Sequence, residues 1–479
     1  MKRAVPGAVL ASAVLAACAV GPNYRTPDAL PAASVALRES QVASVTPSPL
    51  PPRWWRLFDD PDLDRLVEKA LAHNTDLRQA AANLQRARAA LSEAGAARLP
   101  TSTASAQGGH ERVSPYVSGT PSAVETDFYE VGFDAAYEID LFGGVTRSIQ
   151  AARADYQAAQ AQVDAARVSV AAETARAYAD ACANAEQAQV ARQTSELQAS
   201  TLDLTNRLFQ GGRGTERDVA QAQVLYEQAN SQVPTFEAER RAALYALAVL
   251  TGDPPSAIDA AADRCSTPPS TKQPIPVGDG QALLARRPDV RAAERTLAAD
   301  VARIGVATAQ LYPTITLGGS VTLDAPSLGK LTQHQAFGYS VGPQISWAFP
   351  FNGAARARVR ESRATAQGSL AAFDGAVLTA LQETEQALAR LQGAVDREAS
   401  QARAAAASQR AAELSDLRFR AGSDNFLQLL DAQRSRAVAQ ASYAQAQADR
   451  ADAQISLFKA LGGGWEEAPP VATSPLPTR

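Results

Sequence analysis

From about Ser148 to Leu208 the chain contains neither proline nor glycine, and the first glycine to follow is Gly211. Such a run predicts a single helix of roughly 60 residues, about 90 Å long at about 1.5 Å per residue, several times the width of an ordinary domain. A helix of that length needs apolar cover along most of its course. Tyr156, Val163, Val170 and Ala177 recur every seven residues, and so do Ala154, Ala161, Val168, Ala175 and Cys182, offset by two positions. The two series lie about 160° apart around the helix, on nearly opposite flanks. One seam would make a two-stranded coiled coil, whereas two opposed seams make the helix a stave in a wall of helices. Taken alone, the stretch leaves a plain long coiled coil as the competing reading.

Three other stretches alternate with period two. From Tyr129 to Leu141 the odd positions are Tyr129, Val131, Phe133, Ala135, Tyr137, Ile139 and Leu141, and the even ones include Glu130, Asp134, Glu138 and Asp140. Ile315, Leu317, Val321 and Leu323 alternate with Thr314, Thr316, Ser320 and Thr322, and Phe337 to Phe349 repeats the pattern. A weaker Ser/Thr/Ala strand covers Thr101 to Gln107. Strands of about 10 residues with aromatic ends suit a tilted transmembrane β-strand. Two hairpins alone cannot close a barrel, because about eight strands is the practical minimum, so the barrel must be shared between chains. Two copies give eight strands and three give twelve, and the arithmetic does not choose. The carboxylates Glu130, Asp134, Glu138 and Asp140 on the other face predict a water-filled lumen that prefers cations.

The chain is also an internal duplication. Asp76-Leu77-Arg78 with Leu84 matches Asp289-Val290-Arg291 with Leu297, and Pro100-Thr101 matches Pro313-Thr314. Phe209, Gly212, Val219, Ala222 and Gln223 match Phe419, Gly422, Leu429, Ala432 and Gln433. Each half therefore reads as helix, β-hairpin, very long helix, tight turn, returning helix. The first repeat is expected over 59–252, with its hairpin at about 99–141, long helix at about 145–210 and returning helix at about 215–250. The second is expected over 281–461, with the corresponding elements at about 312–350, 354–420 and 425–461. The tight turns carry Gly211, Gly212 and Gly214 in the first half and Gly422 in the second. One helix is expected from about Pro61 to Arg98, and Pro234 should kink the first returning helix.

Outside the repeats, Lys2 and Arg3 precede an apolar run from Ala4 to Ala17 that is too short to span a bilayer, so 1–17 reads as a cleaved secretory signal. Leu15-Ala16-Ala17-Cys18 resembles a bacterial lipoprotein box, which makes Cys18 the expected site of lipidation; Ala19 after it implies outer-membrane sorting. Residues 18–58 read as an extended arm ending in Trp54, Trp55, Leu57 and Phe58, aromatic and apolar anchors for packing. A Pro/Ser/Asp-rich linker is expected over 253–280 and an irregular tail over 462–479. Cys182 reads as a small buried residue of a helix seam and Cys265 lies in the linker; a disulfide between them is open, since nothing in the spacing argues for it.

An enzyme is not expected. His73, His110 and His334 are scattered without a second ligand at metal spacing, and the chain has no nucleophile elbow, Cys-x-x-Cys pair or dinucleotide fingerprint, so neither a metal nor a cofactor is called for. The net charge of −4, with acids spread along the helices, argues against nucleic acid, which requires a concentrated basic face.

The lipoprotein box, the duplicated hairpin-plus-long-helix plan, Asp140-Leu141-Phe142-Gly143-Gly144, and the turn Phe419 to Leu427 leading to Leu430-Asp431-Ala432-Gln433 together resemble the TolC/OprM family of outer-membrane efflux proteins, and more narrowly its NodT-type lipoprotein branch. The resemblance implies an α+β membrane protein: a homotrimer whose twelve-stranded barrel, four strands per chain, continues as a long periplasmic α-helical coiled-coil barrel. It implies the exit duct of a tripartite efflux or type I secretion system, with a periplasmic adaptor and an inner-membrane transporter of RND type as partners and outer-membrane lipid around it. It also implies a periplasmic gate at the helical tips, where the matching acids are Asp218 and Asp424. The TolC pattern breaks at the second tip, where Gln428 and Asp424 stand in place of its acid and arginine, so an arginine latch is not carried over. Thr215-Glu216-Arg217-Asp218 also fits a helix-capping box and Asp424 lies where a helix restarts, so favouring the helix dipole and satisfying free amides is the structural alternative for both acids. The other reading of the whole chain is a lipid-anchored periplasmic coiled-coil scaffold without conductance.

Overall fold

A computed structural model of the chain describes residues 19–27, 37–41, 44–119, 121–349 and 352–471. Its elements run β1 (Val45–Thr46), α1 (Pro61–His73), α2 (Thr75–Ala96), β2 (Thr101–Val113), α3 (Pro115–Ser118), β3 (Val124–Ile139), α4 (Gly144–Gln210), α5 (Glu216–Leu250), β4 (Ile275–Pro276), α6 (Gly280–Arg286), α7 (Pro288–Ala309), β5 (Thr314–Ala325), β6 (Phe337–Ser346), α8 (Gly353–Arg420) and α9 (Phe426–Ala460). Corresponding elements of the two halves agree closely in length: α2 and α7 have 22 residues each, α4 and α8 have 67 and 68, and α5 and α9 have 35 each. Helix α5 runs through Pro234 as one element.

The expected helix over Pro61 to Arg98 is two helices, divided at Asn74. The Asn74 side chain accepts from the amides of Asp76 at 2.9 Å and Leu77 at 3.2 Å, starting α2, while its Nδ2 donates to the Leu250 carbonyl at 3.0 Å. A buried amide with these partners satisfies backbone groups that a continuous helix would have paired internally. At the start of α1, Asp60 accepts from the amides of Asp62 and Leu63, and Pro61 occupies the first turn.

The contacts divide the chain into two compact units. One holds the described residues of Met1–Pro27 with Leu84–Ala159 and Ala293–Phe373. It contains a four-stranded sheet in the order β2-β3-β5-β6, antiparallel throughout. The other holds the described residues of Asp28–Asn83, Gln160–Ala292 and Asp374–Arg479. Its core gathers Val170, Ala175, Tyr178 and Cys182 of α4 with Leu388 and Leu391 of α8, Ile455 and Phe458 of α9, and the aromatic anchors of the arm. Trp54 is fully buried and stacks on Phe458 with centroids 4.7 Å apart, and Phe58 meets the same ring edge-on at 5.8 Å. The arm is thus a core element at this point, and Val45–Thr46 pairs in parallel with Ile275–Pro276 of the linker.

Both heptad seams of α4 are buried along their described course, from Ala154 at 6% exposed to Cys182 at 0%, with Tyr156 half-buried. The linker is fixed to α4 covalently: Cys182 and Cys265 form a disulfide with Cα atoms 5.0 Å apart. The seam position of Cys182 hid this pairing, because a buried alanine-sized thiol and a disulfide half leave the same heptad trace.

Candidate functional site

The first candidate is the four-stranded sheet. Register places Glu130 beside Gln107 on β2 and Asp324 on β5, and Asp134 beside Thr103 and Ser320, with Ser340 next on β6. Glu138 faces Thr316, which faces Gln344. The polar positions of successive strands therefore fall on one face. Gln107 donates to the Glu130 carboxylate across the strands, and the Ser320 and Ser340 hydroxyls meet at 2.8 Å. The opposite face aligns Val131, Leu323 and Phe337 in one row and Phe133, Val321 and Tyr339 in the next. That apolar face is bare: Tyr339 and Val341 are 74% and 75% exposed, and Phe133, Leu317 and Ile345 are also exposed. A sheet with one wet face and one exposed apolar face fits a bilayer boundary, since water on both faces would leave this patch uncovered.

One expected lumen acid departs from this arrangement. Asp140 lies past the end of β3, where its carboxylate accepts from the Val145 amide at 3.0 Å and from the Thr146 amide and hydroxyl at 2.8 Å and 2.7 Å. It caps the first turn of α4 and is spent on free helix amides rather than on a lumen. Period two carried the alternation one residue too far, because a cap and a strand-end acid look alike in sequence. His110, one of the three scattered histidines, lies on β2 and pairs with Asp127 of β3 at 2.8 Å.

The second candidate is the pair of helical tips. At the first, Gly212 and Arg213 donate to the carbonyls of Phe209 and Leu208 at 2.9 Å and 2.8 Å, and Gly212 has φ +71°. At the second, Gly422 and Ser423 donate to Phe419 and Arg418 at 2.9 Å each, with Gly422 at φ +74°. Both are the same left-handed helix stop, which only glycine adopts without strain. Of the expected turn glycines, Gly212 and Gly422 hold that position; Gly211 and Gly214 keep ordinary backbone angles.

The two tip acids differ in their partners. Asp218 Oδ2 accepts from the Thr215 amide at 3.0 Å and hydroxyl at 2.7 Å, and the Asp218 amide returns a bond to Thr215 Oγ1 at 3.3 Å, completing a capping box. These bonds, the Thr215 hydroxyl foremost, hold the Asp218 carboxyl below its ordinary value of 3.8. Asp424 instead accepts from Arg418 Nε at 2.8 Å, while the cap of α9 is made by Asn425 and Gln428. The Asn-x-x-Gln spacing of that box is a local signal that the sequence reading passed over. The Arg418 contact leaves no such signal, because it exists only once the turn closes.

Cys18, the expected lipidation site, lies outside the described residues. Among the described residues no helix is long and apolar enough to cross a membrane, which bears on helices alone and says nothing of a β-barrel.

Known proteins share both the sequence and the fold. A family model described as outer membrane efflux protein matches residues 66–253 and 280–463. The chain is 32% identical over 465 residues to outer membrane protein OprJ of Pseudomonas aeruginosa, covering 96% of each. It is 30% identical over 463 residues to nodulation protein T of Rhizobium leguminosarum bv. viciae, covering 96% of this chain and 93% of that one. The solved outer-membrane channel OprN superposes with a TM-score of 0.88 at 35% identity, over 94% of this chain and 100% of that one. With a half-wet, half-apolar sheet and duplicated long helices, this chain belongs to the outer membrane efflux protein family, whose members are outer-membrane channels of efflux systems and not enzymes.

Proposed function

We propose that three copies of this chain close one twelve-stranded barrel, and that the assembly is the exit duct of a tripartite pump gated at its helical tips. The observation that carries the reading is the open sheet. Among the described residues its outer strands, β2 and β6, each have a neighbour on one side only. In hydrocarbon an unpaired strand edge costs several kcal/mol per group, so each β2 must meet a β6 from another copy. That head-to-tail pairing closes as a ring under rotational symmetry. Three copies match the plan the family resemblance implies.

A periplasmic adaptor and an inner-membrane transporter of RND type would supply the remaining parts and the energy. The adaptor would shift a closed-to-open equilibrium by binding the open form better. Asp218 and Asp424, repeated three times, would line the constriction, and acyl chains on Cys18 would anchor the chain to outer-membrane lipid. The test is purification in detergent followed by cross-linking and single-channel recording. A trimer with small, flickering conductance supports the duct; a folded trimer that never conducts refutes it and leaves the anchored scaffold.

A further inference from the structure

The structure assigns a docking socket for the chain's own N-terminal segment at the junction of strand β3 and helix α4, with Arg147 as its positioning residue. Val20 donates its amide to the Phe142 carbonyl at 3.1 Å. The Arg147 guanidinium, on a residue only 3% exposed, donates from Nε to the Val20 carbonyl at 3.1 Å and from Nη2 to the Gly21 carbonyl at 3.2 Å. Its remaining arm donates to Gln150 at 3.0 Å, so the fork is held in place from behind. A buried arginine with two main-chain carbonyls as acceptors is a site for an extended backbone, since it reads no side chain of the segment it holds.

Close approach shows that the site is built. A Cβ on Gly21 would fall 2.5 Å from Gly305 Cα, one on Gly305 would fall 2.7 Å from Arg147 Cγ, and one on Gly143 would fall 2.7 Å from Ala19 Cα. Gly143 and Gly305 thus line the path of the segment, and Gly21 is the point of the segment that passes closest to the body. Further along, the Tyr24 hydroxyl donates to Glu294, and the Arg295 guanidinium lies over the Tyr24 ring at 5.7 Å from its centroid. The segment therefore touches α4 from the first repeat and α7 from the second.

The internal duplication supplies a control within the same chain. Three residues into the second long helix stands Arg356, the counterpart of Arg147, and it is exposed. Asn352 precedes α8 where Gly143 precedes α4, and Ser92 occupies the depth in α2 that Gly305 occupies in α7. The arginine is common to both halves, whereas the glycines that admit the segment occur only where it docks. The socket strapping the two repeats together is a property of the protein part, and it holds the segment whether or not residue 18 carries lipid.

Hydrogen exchange read by mass spectrometry on the detergent-purified full chain tests this. The peptide covering residues 19–27 should be protected in the wild type. It should be equally protected in a Cys18→Ser chain exported on an ordinary secretory signal, which separates the socket from the lipidation proposed above. Gly21→Val and Arg147→Ala should each speed its exchange about tenfold or more, while peptides from β2 and β3 keep theirs. Gly21 belongs to the segment and not to the body, so that variant decides even if Arg147→Ala disturbs folding. Unchanged protection in Gly21→Val, or loss of protection in the Cys18→Ser chain alone, would overturn the socket.

Discussion

Arg418 donates to Asp424 from Nε at 2.8 Å across the turn between α8 and α9, and the Asp424 side chain is only 13% exposed in that contact. Asp218, at the corresponding turn of the first repeat, spends its carboxylate on Thr215. The two acids proposed for the gate are therefore held by different bonds, one to a cation and one to its own helix cap.

The two acids should accordingly be separable in single-channel recordings. Asp424→Ala frees an exposed guanidinium at the second tip of each copy and should raise conductance with little effect on folding, since a surface ion pair is worth about 0–1 kcal/mol. Asp218→Ala also removes the carboxylate half of the capping box, leaving the Thr215 amide without its partner, so it should fray the start of α5 as well. The double variant should conduct severalfold more than wild type. Conductance unchanged in all three would remove these acids from the gate.

The polar face of the sheet should make the open pore cation-selective through Glu130, Asp134 and Glu138, whereas Asp140, committed to its cap, should contribute little. Reversal potentials across a salt gradient measure this. Glu130→Gln with Asp134→Asn and Glu138→Gln should reduce the preference, and Asp140→Asn should leave it while destabilising the start of α4. Anion preference persisting in a pore with opened tips would refute the assignment.

The Cys182–Cys265 bond closes a loop between residues 83 apart in sequence. Disulfides typically contribute about 2–4 kcal/mol, more for longer loops, and such bonds persist in oxidising compartments. Because Cys182 is fully buried, the folded protein should resist reductant until it is denatured. Maleimide mass tagging with and without denaturant reads this directly, and Cys182→Ala should lower the heat-dissociation temperature. Ready tagging of the native, unreduced protein would show that the thiols are free.

Asp259 ties the linker to α1. Arg65 reaches it with two bonds, 2.8 Å and 2.9 Å, and the Ala261 and Ala262 amides add 2.9 Å and 3.2 Å. The Arg65 bonds above all hold its carboxyl down at about 2, against an ordinary 3.8. A depressed acid stabilises the fold fully above its unfolded value and loses that contribution as pH falls through the folded one. Exchange protection of the linker near residue 259 should therefore be flat at neutral pH and fall from about pH 4 towards 2. Asp259→Asn should abolish that fall; an identical profile in the variant would assign it elsewhere.

Periodicity settled what is periodic. The opposed seams of α4, the alternation of β3, β5 and β6 and the duplicated plan follow from side-chain directions fixed at 3.6 and 2 residues per repeat, so spacing alone reveals them. The tip glycines and the Thr215–Asp218 box were legible for the same reason, being local. What tertiary structure alone decided is what depends on two distant stretches meeting. The Cys182–Cys265 bond, the stacking of Trp54 on Phe458, and the seating of Val20 and Gly21 on Arg147 leave no periodic trace, since each partner reads alone as an ordinary buried or turn residue. Asn74 and Asp140 went astray for a related reason: a polar side chain that satisfies free backbone amides interrupts or ends an element, and which amides are free is known only once the chain has folded around them.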